Sequence, residues 1–215
     1  MSTAEPDRPK TRERILNAAA ELVQAKGPAA TGTLEILALA DAPRGSLYYH
    51  FPGGKDQLVG EAVSLVAAIV EGRLADALAN RAVSLPERVE NFLTAVADRL
   101  VIEDFKLGCG IAATVLDTAA SSAALRAATE AAFASWTSLL VAQFSAEGID
   151  PDEAASLADV IVAGLEGGWM LSRSRRDPTP IRHVATSMRT LVAAALAGRP
   201  SDGSGMDLQR NRNAG

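Results

Sequence analysis

Cysteine is nearly absent from these 215 residues: Cys109 stands alone, so no disulfide can close within the chain, as suits a reducing compartment. Histidine is almost as scarce. His50 and His183 are the only two, and neither belongs to an HExxH or paired-cysteine pattern, so no metal site is expected. The first ten residues, MSTAEPDRPK, lack the apolar segment of a secretory leader, and the most apolar later run is interrupted by Asp159 and Glu166. A cytoplasmic protein with no membrane span is the expectation. Also missing are a nucleophile–base pair, a carboxylate pair at motif spacing and a phosphate-cradling glycine loop, which argues against an enzyme and against any cofactor. Aromatic residues amount to only 4% of the chain, yet Tyr48, Tyr49 and Phe51 fall within four positions.

Apolar residues are 48% of the chain, with Ala and Leu outnumbering β-branched and aromatic types, which favours an all-α globular fold. Ile15, Ala18, Ala19, Leu22 and Val23 mark one helical stripe, stopped by Gly27-Pro28. A short helix follows from Leu34 to Ala40, with Thr33 as its expected cap, and another begins near Pro43 and ends at Phe51. Three helices with a short turn between the second and third form a helix-turn-helix. Later segments read as mostly longer helices: 55–79, one from the Ser84–Glu87 capping box to about Asp104, a short one near 109–118, one from Ser122 to about Glu147, one opened by Asp150-Pro151, and a last one opened by Thr179-Pro180. About nine helices are predicted. The boundaries expected are a disordered arm 1–8, a helix-turn-helix domain 9–54, a larger helical domain 55–198 and a disordered tail 199–215.

The stretch APRGSLYYHFPGGK, residues 42–55, carries the functional signal. Leu47 and Phe51 are i, i+4 neighbours able to pack inward on Ile15, Leu22 and Ile36, which puts Gly45, Ser46, Tyr48 and Tyr49 on the opposite side. Two aromatics with polar tips on the outer side of so short a helix are not explained by the core.

GSLYYHFPGGKDQL, following TRERILNAAAELVQAKG, resembles the DNA-binding domain of the tetracycline-repressor (TetR) family, over about residues 9–60. APRGSLYYHFPGGKDQL together with LGCGIAAT is most similar to the LmrA/YxaF-type multidrug-resistance regulators. The resemblance implies a helical ligand-binding and dimerisation domain after the helix-turn-helix. It implies a homodimeric repressor, released from a near-palindromic double-stranded DNA operator by a small apolar or amphiphilic effector. It assigns Arg44, Gly45, Ser46, Tyr48, Tyr49 and His50 to the DNA-facing helix, and Thr33 and Lys55 to phosphate contacts. Arg44 suits guanine O6/N7, and Gly45 lets the backbone approach the duplex. Asp41 replaces a usual turn glycine, and Pro43 a usual capping serine. Residues 1–60 hold seven basic and seven acidic groups and the whole chain is at −5, so attraction to DNA falls to local placement of Lys10, Arg12, Arg14, Arg44 and Lys55.

In the second domain Phe92, Val96, Phe105, Phe133, Trp136, Trp169, Met170 and Cys109 are candidate ligand-binding residues, with ordinary core packing as the competing reading for each. Glu166 is a candidate partner for a cationic ligand, and Cys109, flanked by glycines at a helix start, for thiolate formation or plain packing. Gly164 and Gly168, with Val184, Met188, Leu191, Val192 and Ala195, are the expected interface of a two-fold four-helix bundle. The rival to a DNA-binding regulator is a helical small-molecule-binding protein or scaffold without DNA-binding activity.

Overall fold

The computed structural model describes residues 10–118 and 121–198; the arm 1–8 and the tail 199–215 lie outside the described residues. Nine α-helices and no strand are found among the described residues: α1 Thr11–Lys26, α2 Thr33–Leu39, α3 Ser46–His50, α4 Gly54–Ala79, α5 Leu85–Ile102, α6 Gly110–Thr118, α7 Ala123–Ala146, α8 Pro151–Arg175 and α9 Thr179–Ala197. The all-α expectation holds.

Two cores are built on one shared helix. The first gathers Ile15, Ala18 and Ala19 of α1, Ile36 and Leu37 of α2, and Leu47 and Phe51 around α3. Leu58, Ala62 and Val66 close it from α4, whereas Val59, Val63, Ala67, Leu74 and Leu78 of the same helix belong to the second core. Helical spacing separates the two stripes by one position, so α4 presents neighbouring faces to two bodies. The end of α1 crosses over too, with Val23 in the second core. The larger domain packs α4 on α7, α7 on α8, α8 on α9, and α9 on α5.

The start signals divide into those that act and those that do not. Ser84 and Glu87 form the capping box, with the Ser84 N–H donating to Glu87 Oε2 at 2.9 Å. Ser122 Oγ accepts from Leu125 N at 3.4 Å, and Asp150 Oδ1 from Asp152 N at 2.9 Å. Thr33 makes no cap: Gly32 occupies that position and Thr33 is the first helical residue. Thr179 is displaced in the same way, because Asp177 accepts its N–H at 2.9 Å and the Ser172 hydroxyl accepts from Ile181 N at 3.2 Å. A side chain one residue inside the helix points away from the orphan amides that the preceding position serves.

By length and composition alone α8 is long and apolar enough to cross a bilayer, a test that core helices of globular bundles also pass. Its inward side packs in the bundle through Ala154, Leu157, Ala158, Ile161 and Leu165.

Candidate nucleic-acid interface and ligand cavity

The third helix is five residues long, far too short to hold itself together, so tertiary anchoring decides its position. Leu47 and Phe51 are buried at 2% and 0% exposure, each burial worth roughly 1.5–3 kcal/mol. On the other side Tyr48 is 69% and Tyr49 81% exposed. The Tyr49 and His50 rings meet edge-on at 4.9 Å. Helix α3 begins at Ser46, not near Pro43: Pro43 O accepts from the Ser46 N–H at 3.0 Å and hydroxyl at 2.6 Å, making a turn of Pro43-Arg44-Gly45. Arg44 and Gly45 therefore lie exposed on the turn. A Cβ on Gly45 would have no neighbour within 4 Å in this chain, so nothing internal demands glycine there. Asp41 adopts φ 47°, a positive turn conformation that aspartate tolerates better than most residues.

The five cations expected to attract DNA separate into two groups. Arg14 donates to the carbonyls of Ala40 and Asp41 at 2.9 and 3.0 Å, fastening the end of α2. Arg12 pairs with Glu61 at 2.6 Å and lies 4.7 Å over the Phe51 ring. Both support the fold. Lys10 and Arg44 are exposed and Lys55 half-buried at the start of α4, none with an ion-pair partner among the described residues. Thr33, the first residue of α2, is half-buried.

Between the helices of the larger domain lies a cavity of about 110 Å³. Phe92, Val96, Cys109, Trp136 and Trp169, five of the candidates, line it. Both indole N–H groups are satisfied by backbone, Trp136 Nε1 on Ala67 O at 3.1 Å and Trp169 Nε1 on Leu107 O at 3.3 Å, which fixes the rings as apolar walls. Phe105, Phe133 and Met170 do not line it. Phe105 lies in the left-handed turn after α5 (φ 57°) with Arg176 over its ring at 5.6 Å, Phe133 packs edge-on against Trp136 at 5.6 Å, and Met170 is 60% exposed on the outer side of α8. Glu166 is also outside the lining; burial pushes its carboxyl up to about 7, a hydrogen bond from the Cys109 thiol offsets part of that, and its Oε1 has no partner. Burial and the neighbouring Glu166 raise the Cys109 thiol well above its usual value, which favours plain packing over thiolate formation.

Sequence reasoning missed Gln24 at the end of α1, the α4 stripe Val66, Ile69, Val70 and Arg73, and Arg99 of α5, all of which line the cavity. The i, i+3, i+4, i+7 spacing of the α4 set was visible, but spacing alone does not separate a cavity wall from a core.

Most of the expected dimer residues pack inside the protomer. A Cβ at Gly164 would stand 3.1 Å from Val184, and one at Gly168 3.1 Å from Val184 and 3.2 Å from Ile181, so these glycines seat α9 on α8 within one chain. Met188, Val192 and Ala195 are buried in the same protomer at 8%, 0% and 6%, and Val184 is half-buried. Of that set only Leu191, at 43%, keeps a large side chain at the surface, where Val160, Met170 and Leu171 of α8 are also exposed.

The comparisons agree with this architecture. Residues 15–62 match the family model of bacterial regulatory proteins of the tetR family, and residues 86–187 that of the C-terminal domain of LmrA/YxaF-like transcriptional regulators. A Mycobacterium tuberculosis protein named an HTH-type transcriptional regulator is 36% identical over 87% of this chain and 97% of its own length. The Bacillus subtilis HTH-type transcriptional regulator LmrA is 31% identical over 85% of this chain and 96% of its own. In fold, a TetR transcriptional regulator from Legionella pneumophila superposes with a TM-score of 0.77 at 24% identity, over 86% of this chain and 98% of that one.

Proposed function

Because the chain belongs to the TetR family of transcriptional regulators, with a C-terminal domain of LmrA/YxaF type, we propose that it is a cytoplasmic homodimeric repressor whose α3 enters the major groove of a near-palindromic operator and which a small amphiphilic effector releases. One observation carries the DNA-reading part: the tyrosine side of α3 is open while its Leu47 and Phe51 side is fully sealed. Tyr48, Tyr49, Ser46 and His50 offer donors to phosphate or base edges, Arg44 a fork for guanine, and Lys55 and Thr33 flanking phosphate contacts. Lys55 stands in the first turn of α4, where a cation opposes the helix dipole and a phosphate would relieve it.

Release follows from geometry shared between domains. The effector cavity is lined by α4, whose first turns belong to the DNA-binding core, and by Gln24 at the end of α1. An effector that favours a different α4 position changes the spacing of the two reading heads, provided it binds the DNA-incompetent state more tightly. The dimer is built on the outer sides of α8 and α9, through Val160, Met170, Leu171 and Leu191.

The test is operator binding by fluorescence anisotropy on DNA flanking the protein's own gene. Arg44→Ala and Tyr48→Ala should each weaken binding tenfold or more, in line with ~1–3 kcal/mol per specific contact, with circular dichroism and dimer mass unchanged. Equal operator affinity in wild type and both variants would refute the reading.

A further inference from the structure

The effector cavity and its approach carry an unbalanced charge. The cavity, about 110 Å³, is smaller than one that takes up a benzene ring, about 150 Å³. Beside it lies an open groove of about 440 Å³. Arg73, Phe92, Val96 and Arg99 line both spaces and so form the boundary between them. A ligand of ordinary size must therefore straddle that boundary, with one apolar end among Trp136, Trp169 and Phe92 and the rest outside.

Among the described residues, the only charged side chains at that boundary are the two guanidiniums, and no carboxylate lines either the cavity or the groove, although the chain as a whole is at −5. Arg73 has no ion-pair partner among the described residues, and its pKa is lowered by burial and by the like charge of Arg99. Arg99 reaches Glu103 only at 3.9 Å, in a half-exposed pair of the kind that contributes little. Two neighbouring cations at the mouth of an apolar cavity match a planar anionic head, which a guanidinium grips through paired N–H donors. Glu166, the acidic group that pointed to a cation in the sequence, does not line the cavity, and burial favours its neutral form.

We propose that the effector is an organic carboxylate with an apolar tail or ring, its head held between Arg73 and Arg99 and its apolar end enclosed by Trp136, Trp169 and Phe92. This rests on the reading of the chain as an effector-responsive regulator and names the chemical class of that effector.

The two tryptophans of the chain both line the cavity, so intrinsic fluorescence reports on it directly. The protein is titrated with decanoate, decanol and decylammonium, and with 4-phenylbutyrate beside 4-phenylbutanol. At least one acid should bind ten times more tightly than its own alcohol, and decanoate more tightly than decylammonium; which acid prefers the site tells chain from ring. The double variant R73Q/R99Q, with its fold checked by circular dichroism and each single variant run beside it, should bring acid binding down to that of the alcohol and leave the alcohol unchanged. Tighter binding of decylammonium, no acid preference, or a preference that survives in the variants overturns the proposal. Operator anisotropy in parallel separates the two readings. Wild type that binds no operator yet prefers the acid through its arginines sinks the regulator and keeps the anion site, while operator release by decylammonium alone sinks the anion site and keeps the regulator.

Discussion

At the scale of single residues, the most consequential burial is that of Glu166, which has one carboxylate oxygen without a partner. Burial raises its pKa to about 7 from the ordinary 4.5 of a glutamate, with the Cys109 hydrogen bond acting in the other direction. The folded state thus keeps the proton longer than the unfolded chain. Below pH ~4.5 both states are protonated; as pH rises through 4.5 to about 7 the unfolded chain ionises first, and the stability this group contributes at low pH is lost. The loss is worth up to about 3 kcal/mol at 1.36 kcal/mol per pH unit. Glu166→Gln removes the titration while keeping the shape. Urea unfolding at pH 5 and pH 8 should therefore show a smaller difference for the variant than for wild type, by about 2–3 kcal/mol; identical differences would mean that Glu166 ionises as freely folded as unfolded. The residue identity was plain in the sequence, within the run VIVAGLEGGWML, but its depth was not. Depth depends on which side of α8 faces inward. That is decided by α7 and α9 rather than by the run itself.

At the scale of elements, the joint between the two domains turns on α8. Arg173 donates to Phe105 O at 3.2 Å, to Lys106 O at 2.8 Å and to Ala25 O, tying the bundle to the end of α1 and to the loop after α5. Gly108 N donates to Gln24 O at 2.8 Å and Ala29 N to Asp117 Oδ2 at 2.9 Å, so α6 is tied to the same place. Gln24 and Gly108 also line the cavity, which makes the latch part of the cavity wall. Arg173→Met should cost about 2–3 kcal/mol, since it strands partly buried carbonyls that a charged donor served. Hydrogen exchange should quicken at residues 24–27 and 105–109 before the rest of the bundle, with Arg173→Lys intermediate; unchanged exchange there would show that the latch is held by something else. None of these bonds was legible in the sequence, because each joins residues far apart in the chain. What was legible was local: the Ser84 and Asp150 starts, the Gly27-Pro28 stop and the Leu47–Phe51 anchor all follow from neighbours within four positions. Thr33 and Thr179 miss the cap by one position because Gly32 and Pro178 hold it, a choice made by the chain's path and not by capping preference.

At the scale of the whole molecule, a single copy presents a recognition helix of five residues on a chain whose net charge is −5, a weak basis for holding DNA. Arg12 and Arg14 are committed to the fold, which leaves little positive charge on each reading head. Two heads joined rigidly raise affinity through effective concentration, provided their separation matches successive major grooves, ~34–36 Å apart. The periodicity of residues 181–196 announced a broad apolar stripe but not that most of it would be consumed inside the protomer by α5 and α8. The large apolar side chains that α8 and α9 leave exposed are Val160, Met170, Leu171 and Leu191, and the dimer proposed on them, at the usual ~1,200–2,000 Å², would cover them. Leu171 and Leu191 are 49% and 43% exposed, so Leu171→Glu and Leu191→Glu should alter protomer stability by no more than ~0.5 kcal/mol. Facing their own copies across a two-fold axis, the added charges would stand in an apolar interface and repel. Sedimentation should then report half the wild-type mass with helical content retained, and operator affinity should fall a hundredfold or more while a half-site is bound as weakly as before. A double variant that remained dimeric and held its operator would move the two-fold axis away from α8 and α9.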